Sequence, residues 1–174
     1  IRTSLYATKE KGFIKRLRNY LSFTFSSVIT GVKHVGHQDV IITESPPLFL
    51  GWSGYVISKK IKAKFVFNIS DLWPESAVKL GMLHNKLLIK ASTWLEEFCY
   101  RKADVITGQT KGIVNNIIMR GFDSNKVHLI TNGVDTEFFK KENRDEEFRK
   151  KIGIENKFAA CYGGIHGLAQ GLEV

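Results

Sequence analysis

The chain has 174 residues, 43% of them hydrophobic and 25% charged, with a formal net charge of +9. That is enough apolar material for one folded domain, or one domain and a piece of another, and it excludes a collagenous or disordered chain. Two cysteines, Cys99 and Cys161, stand far apart, and the five histidines form no ligand spacing with them, so neither a disulfide framework nor a metal site is expected. No apolar run approaches the ~20 residues of a membrane-spanning helix. The chain opens on Ile1 with no signal-peptide pattern, and the expectation is an internal fragment from a reducing compartment.

Residues 11 to about 35 read as a helix, with Phe13, Leu17, Leu21 and Val28 near one face and Ile14 and Phe25 close by. Lys9, Lys11, Lys15, Arg16 and Arg18 crowd its start, and residues 1–38 carry +6 of the net charge against +3 for the remaining 136. Positive charge at the amino end of a helix opposes its dipole, so helix stability alone does not select it. An anionic membrane surface or a phosphate-bearing acceptor would. The alternative is a solvated basic face above a core-facing stripe. Nucleic acid is not expected, because no recognition-helix, zinc or RNP-type motif accompanies the charge.

Asp39–Thr43 predicts a short strand ended by Glu44-Ser45-Pro46-Pro47, with Ser45 a candidate cap for a helix over 48–61. Gly51, Ser53, Gly54 and Ser58 would let that helix lie close to a sheet. The apolar run 63–69 predicts a buried strand, and it spills into Ser70-Asp71-Leu72-Trp73-Pro74-Glu75-Ser76. Polar groups at the carboxyl end of such a strand stand where ligands bind in open α/β sheets. They also suit a plain turn, with Asp71 closing an Asx-turn, Pro74 in a first helical turn and Trp73 in the core.

A helix follows from Leu87 to about Lys102, with Leu87, Leu88, Ala91, Leu95 and Phe98 as its apolar stripe. Asp104–Thr107 is again strand-like, Thr110 opens a helix that stops near Gly121, and Lys126–Ile130 is a fourth strand before Thr131-Asn132-Gly133-Val134-Asp135. This alternation predicts an α/β chain, a Rossmann-like parallel sheet with helices on both faces. Charge-dense residues 140–156 read as a linker between a domain at 1–139 and a new βα unit at 157–174, whose strand is Phe158–Tyr162. Its loop, Gly163-Gly164-Ile165-His166-Gly167, suits phosphate through close backbone approach. It is not G-x-G-x-x-G, and an ordinary tight turn accounts for it as well.

In this order, the Glu44-Ser45-Pro46-Pro47, Asp71, Asn132-Gly133-Val134-Asp135 and Gly164–Gly171 stretches resemble family 4 glycosyltransferases. The likeness is greatest to the bacterial branch that builds O-antigen and capsule, including N-acetyl-L-fucosamine transferases. The resemblance implies a GT-B fold, with the acceptor on the first domain and the nucleotide-diphosphate sugar mostly on the second. It also implies retention of anomeric configuration, hexosyl or N-acetylhexosaminyl transfer, and no metal or other cofactor.

On this likeness Asp71 orients the acceptor hydroxyl or takes its proton, and Glu75 is its partner or a cap of its own helix. Ser70, Trp73 and Glu44 fall on the acceptor side, and Asn132 and Gly133 at the cleft. Gly164, His166, Gly167 and Gln170 approach the donor diphosphate, and Lys11, Lys15, Arg16 and Arg18 face the membrane. Two departures stand out: Ser70-Asp71 replaces a histidine common in relatives, and His166 and Gln170 stand where many have arginine and lysine. The partners implied are a nucleotide-sugar donor and a polyprenyl-diphosphate-linked saccharide, met at the cytoplasmic face of the inner membrane. A docking subunit with the same fold and a nucleotide-sugar epimerase are the alternatives, and the chain alone is expected to be inactive.

Overall fold

A computed structural model describes residues 1–7, 13–141, 144–167 and 170–172, with the backbone alone for Phe13 and Ile14. The chain divides into two compact units, Ile1–Thr131 and Asn132–Val174.

The first unit runs α1 (Phe13–His34), β1 (Val40–Ser45), α2 (Phe49–Ile61), β2 (Lys64–Ile69), α3 (Glu75–Lys79), α4 (Lys86–Lys102), β3 (Val105–Gly108), α5 (Lys111–Met119) and β4 (Val127–Leu129). The four strands form one parallel sheet in the order β1-β2-β3-β4. Ile41 lies opposite Phe65, Phe67 opposite Ile106, and Ile106 opposite Val127. Alternation in β2 decides the layering, since Phe65, Phe67 and Ile69 are each no more than 1% exposed and share one face. α2, α4 and α5 pack on that face. Gly51 of α2 sits so close to it that an added Cβ would come within 2.7 Å of Cys99 Sγ and 2.8 Å of the Phe67 ring.

The Rossmann-like α/β class is as the alternation predicts. Helices on both faces are not displayed among the described residues: Ile42, on the other face, is 68% exposed. The strand order explains this. Each crossover steps one strand in the same direction, and crossovers of one hand then bring every connecting helix down on one side.

Local chemistry explains the boundaries. Thr110 caps α5 through Oγ1, which accepts the Ile113 N–H at 3.2 Å, and Gly121 follows its last turn at a φ of +87°. Asn85 caps α4 by accepting from Leu87 and Leu88 at 3.0 and 3.1 Å, a start that sequence reading missed. Ser45 is not a cap. It ends β1, its carbonyl takes the Ser70 N–H at 2.9 Å, and α2 starts only at Phe49. A cap must directly precede the first helical residue, and Pro46, Pro47 and Leu48 intervene.

The stripe expected on α4 is also displaced. Leu87 is 78% exposed and Leu88 40%, while Glu96, Cys99 and Tyr100 are buried. Seventeen helical residues span about 25 Å, against about 20 Å for the six of β2, the strand on which α4 packs, so the first turn overhangs the sheet. Buried Glu96 is held twice, by the Tyr100 hydroxyl at 2.9 Å and by Arg120 Nη2 at 2.7 Å. Burial and then the Glu96 charge push the Tyr100 hydroxyl far above its ordinary value. Burial opposes the charge on Arg120, but Glu96 outweighs it and raises the guanidinium above its usual range.

α1 packs on α2, with Leu17, Leu21 and Val28 half-buried and Thr24 deepest at 3% exposed. Phe25 is 55% exposed, its ring edge-on to Trp52 at 5.9 Å, so the closest approach is made by small residues, Thr24 and Gly31. Residues 1–7 lie along α1, where the Tyr6 N–H donates to Ser22 Oγ at 2.8 Å and Asn19 Nδ2 to the Tyr6 carbonyl at 2.6 Å.

In the second unit α6 (Glu146–Lys151) is capped by Asp145, whose carboxylate accepts the Phe148 N–H at 2.8 Å. The strand expected at Phe158–Tyr162 is not formed, and Phe158 is 97% exposed. A strand exists only through its ladder, and no described residue pairs with this one.

Candidate active site at the carboxyl ends of the strands

Three neighbouring strands end in polar side chains. Beyond the last paired residues the ladder continues, with the Ser70 N–H on the Ser45 carbonyl at 2.9 Å and the Gln109 N–H on the Ile69 carbonyl at 3.2 Å. This places Glu44, Ser70 and Gln109 side by side. Ser70 Oγ donates to Glu44 Oε1, and Gln109 Nε2 donates to Ser70 Oγ and, at 3.5 Å, to Glu44 Oε1. One layer deeper, Thr107 Oγ1 donates to Asn68 Oδ1 at 2.8 Å. Sequence reading found Glu44 and Ser70 and missed Gln109. The available signal was positional, since Gln109 stands one residue past β3 as Ser70 stands past β2.

Asp71 follows directly, exposed, and among the described residues its carboxylate has no hydrogen-bond or ionic partner. The turn here is closed by backbone: the Asp71 carbonyl accepts the Trp73 N–H at 3.1 Å. An Asx-turn would have occupied the carboxylate; this geometry leaves it to solvent. Trp73 is half-buried against the core and lines an apolar cavity of about 220 Å³ with Tyr20, Pro46, Pro47, Leu48 and Phe49.

Glu75 is engaged elsewhere. It opens α3 and pairs with Lys79 at 2.5 Å, while Asn116 Nδ2 donates to its other oxygen at 3.2 Å. The Lys79 hydrogen bond, assisted by Asn116 and Arg120 and opposed by partial burial, holds its carboxyl below the usual value. It borders a cavity of about 370 Å³ shared with Glu96, Glu97 and Arg120, distinct in its lining from the Trp73 cavity.

Of the basic residues on α1, Arg16 and Arg18 are exposed and Lys15 is half-buried; Lys11 lies outside the described residues. The Arg18 guanidinium sits 4.7 Å over the Tyr6 ring.

In the second unit Asn132 and Gly133 are exposed in its opening loop, and Gly164, His166, Gly167 and Gln170 are exposed further on. The Gly167 N–H donates to Gln170 Oε1 at 3.0 Å, and the His166 ring lies 5.6 Å from Tyr162. Leu168 and Ala169 lie outside the described residues, and those on either side of them form no α-helix. Among the described residues no group of three His, Cys, Asp or Glu is placed to hold a metal ion. None of their helices is long and apolar enough to cross a membrane.

The family model described as "Glycosyl transferase 4-like domain" matches residues 7–133, well over half of the 174-residue chain. No curated protein matches the sequence.

Proposed function

Because the chain belongs to the glycosyl transferase 4-like domain family, a membership that supports glycosyl transfer between a sugar donor and an acceptor, we propose that it carries the acceptor side of a retaining enzyme. The donor is a nucleotide-diphosphate sugar, and the acceptor a polyprenyl-diphosphate-linked saccharide in O-antigen or capsule synthesis. The group moved is a hexosyl or N-acetylhexosaminyl unit, as in the N-acetyl-L-fucosamine transferases that the motifs resemble.

The observation that carries this reading is the set of polar side chains at adjoining strand ends, Glu44 and Ser70 bonded together and Asp71 beside them with a carboxylate unengaged among the described residues. Ligands of open α/β sheets bind at that edge. In the proposed reaction Asp71 orients the acceptor hydroxyl and takes its proton as the oxygen attacks the anomeric carbon on the same face from which the nucleotide diphosphate leaves with the bonding pair, so that configuration is retained. Ser70, Glu44 and Trp73 hold the acceptor sugar, Trp73 by its ring face. Gly164, His166, Gly167 and Gln170 receive the diphosphate, Asn132 and Gly133 border the cleft, and neither metal nor other cofactor takes part. Lys15, Arg16 and Arg18, with Lys11, meet the anionic inner face of the cytoplasmic membrane, each basic group near such a surface contributing about 1 kcal/mol.

The test offers labelled nucleotide sugars to the protein translated from its whole reading frame, with membranes as acceptor source. Label is expected in the lipid extract, and Asp71→Asn is expected to lower the rate at least about 100-fold, the scale of a positioned general base. Binding to anionic vesicles should be unchanged. Equal rates for both proteins would remove Asp71 from the chemistry, and no transfer from any donor would refute the reading.

A further inference from the structure

Gln109 belongs to no site assigned so far, yet it meets both acceptor-side residues. The direction of the hydrogen bonds around it follows from chemistry. A serine hydroxyl has one proton to give, a carboxylate only accepts, and a glutamine amide supplies the N–H donors. With Ser70 Oγ bonded to Glu44 Oε1 on one side and to the Gln109 amide on the other, the chain runs from Gln109 Nε2–H to Ser70 O–H to Glu44 Oε1. Turning the amide over would put three oxygens around one proton. The members of such a chain polarise one another. All three residues sit on the sheet's backbone ladder, a stiffer support than a free loop.

Resting on the acceptor-side reading above, we propose that Gln109 is a positioning residue for the acceptor sugar. It fixes the Ser70 hydroxyl as a donor to one oxygen of Glu44 and leaves the other oxygen for a sugar hydroxyl. Among the described residues Glu44 Oε2 carries no bond, and the side chain is exposed. The ligand class is a hydroxyl-bearing saccharide, and the anchored carboxylate discriminates against the analogue that lacks the bonded hydroxyl. A site built to hold a hydroxyl leaves its own polar group unpaired when that hydroxyl is missing.

The test measures binding of farnesyl-diphospho-linked hexoses and N-acetylhexosamines to the chain by calorimetry, with Tm recorded for each protein. Gln109→Leu is expected to weaken binding about tenfold, the scale of one hydrogen bond to a charged group. Gln109→Glu places two carboxylates around one hydroxyl proton and should lower both affinity and Tm. Combining Gln109→Glu with Glu44→Gln restores a donor and an acceptor around Ser70. Its Tm should recover, while affinity stays low because an amide now faces the sugar. A merely structural role predicts that Gln109→Leu and Gln109→Glu lower Tm while the chain that remains folded binds as tightly as the unaltered one. That result, or unchanged binding in Gln109→Leu, would overturn the inference and leave the transferase reading standing. Failure of the unaltered chain to bind any of these saccharides would instead refute the acceptor-side reading and the inference with it.

Discussion

Replacing Arg120 by Met keeps a long apolar stem and removes the guanidinium that neutralises Glu96. The Glu96 side chain is only 3% exposed, and its other partner is the Tyr100 hydroxyl. Stripping one member from a fully buried ion pair costs about 3–5 kcal/mol, because the remaining charge keeps its desolvation penalty. Arg120 is 25% exposed, so water reaches part of the site and the lower end applies, about 3 kcal/mol. Loss of the contacts at 5.6 Å to the Tyr100 ring and 5.7 Å to that of Phe122 adds about 0.5 kcal/mol. For a unit this size the sum corresponds to a fall in Tm of about 10 °C. Urea unfolding should show a lower midpoint at constant slope. Adding Glu96→Gln should recover part of the loss, since the stranded charge is then gone. A change below about 0.5 kcal/mol, or a double variant no better than Arg120→Met, would refute the claim that Arg120 neutralises a buried Glu96 charge.

Gly51→Ala should destabilise by about 1–3 kcal/mol, measured by chemical denaturation, because the new methyl meets Cys99 Sγ and the Phe67 ring inside ordinary contact distance. Asp104 accepts the Phe65 N–H at 2.9 Å and pairs with Lys64 at 3.3 Å. The Phe65 hydrogen bond leads in lowering its folded pKa below the usual 3.8, with Lys64 assisting against partial burial. The stability it contributes is therefore complete above the unfolded value and disappears as pH falls through the folded one. With the side chain 39% exposed, Asp104→Asn should cost below about 1 kcal/mol at pH 7 and nothing measurable at pH 2. Thiol labelling should show one fast and one protected cysteine. Cys161 is exposed, whereas Cys99 is buried and pushed up to about 12 by desolvation and the Glu96 charge.

The strands were legible because each is a short apolar run bounded by turn chemistry, and their parallel pairing follows from the helices between them. Side-chain environments were less so. Leu87 and Leu88 fit an amphipathic stripe, and no local pattern shows that the sheet beneath is too short to cover them. Glu96 reads as a surface acid until Tyr100 and Arg120 are brought to it, the latter from 24 residues away. Ser45 has a capping residue's chemistry, but its carbonyl is claimed by the ladder to Ser70. At the candidate site the sequence supplied each polar residue in isolation. Only the register of adjacent strands places Glu44, Ser70 and Gln109 in one chain of hydrogen bonds.

That register also separates the two carboxylates of the Asp71 loop. Glu75 is bound to Lys79 and Asn116, and its folded pKa is depressed, so its negative charge is already satisfied. A carboxylate stabilised in its charged form is a weak proton acceptor, and its two bonds would have to break before it could turn toward a substrate. They tie α3 to its own last residue and to α5, which places the Trp73-Pro74 turn. Asp71 has no such engagement among the described residues and leaves β2 next to the Glu44–Ser70 pair. In the proposed enzyme the division of labour follows from these contacts. Glu75 anchors the loop on the helix side, and Asp71 presents the carboxylate that meets the acceptor hydroxyl.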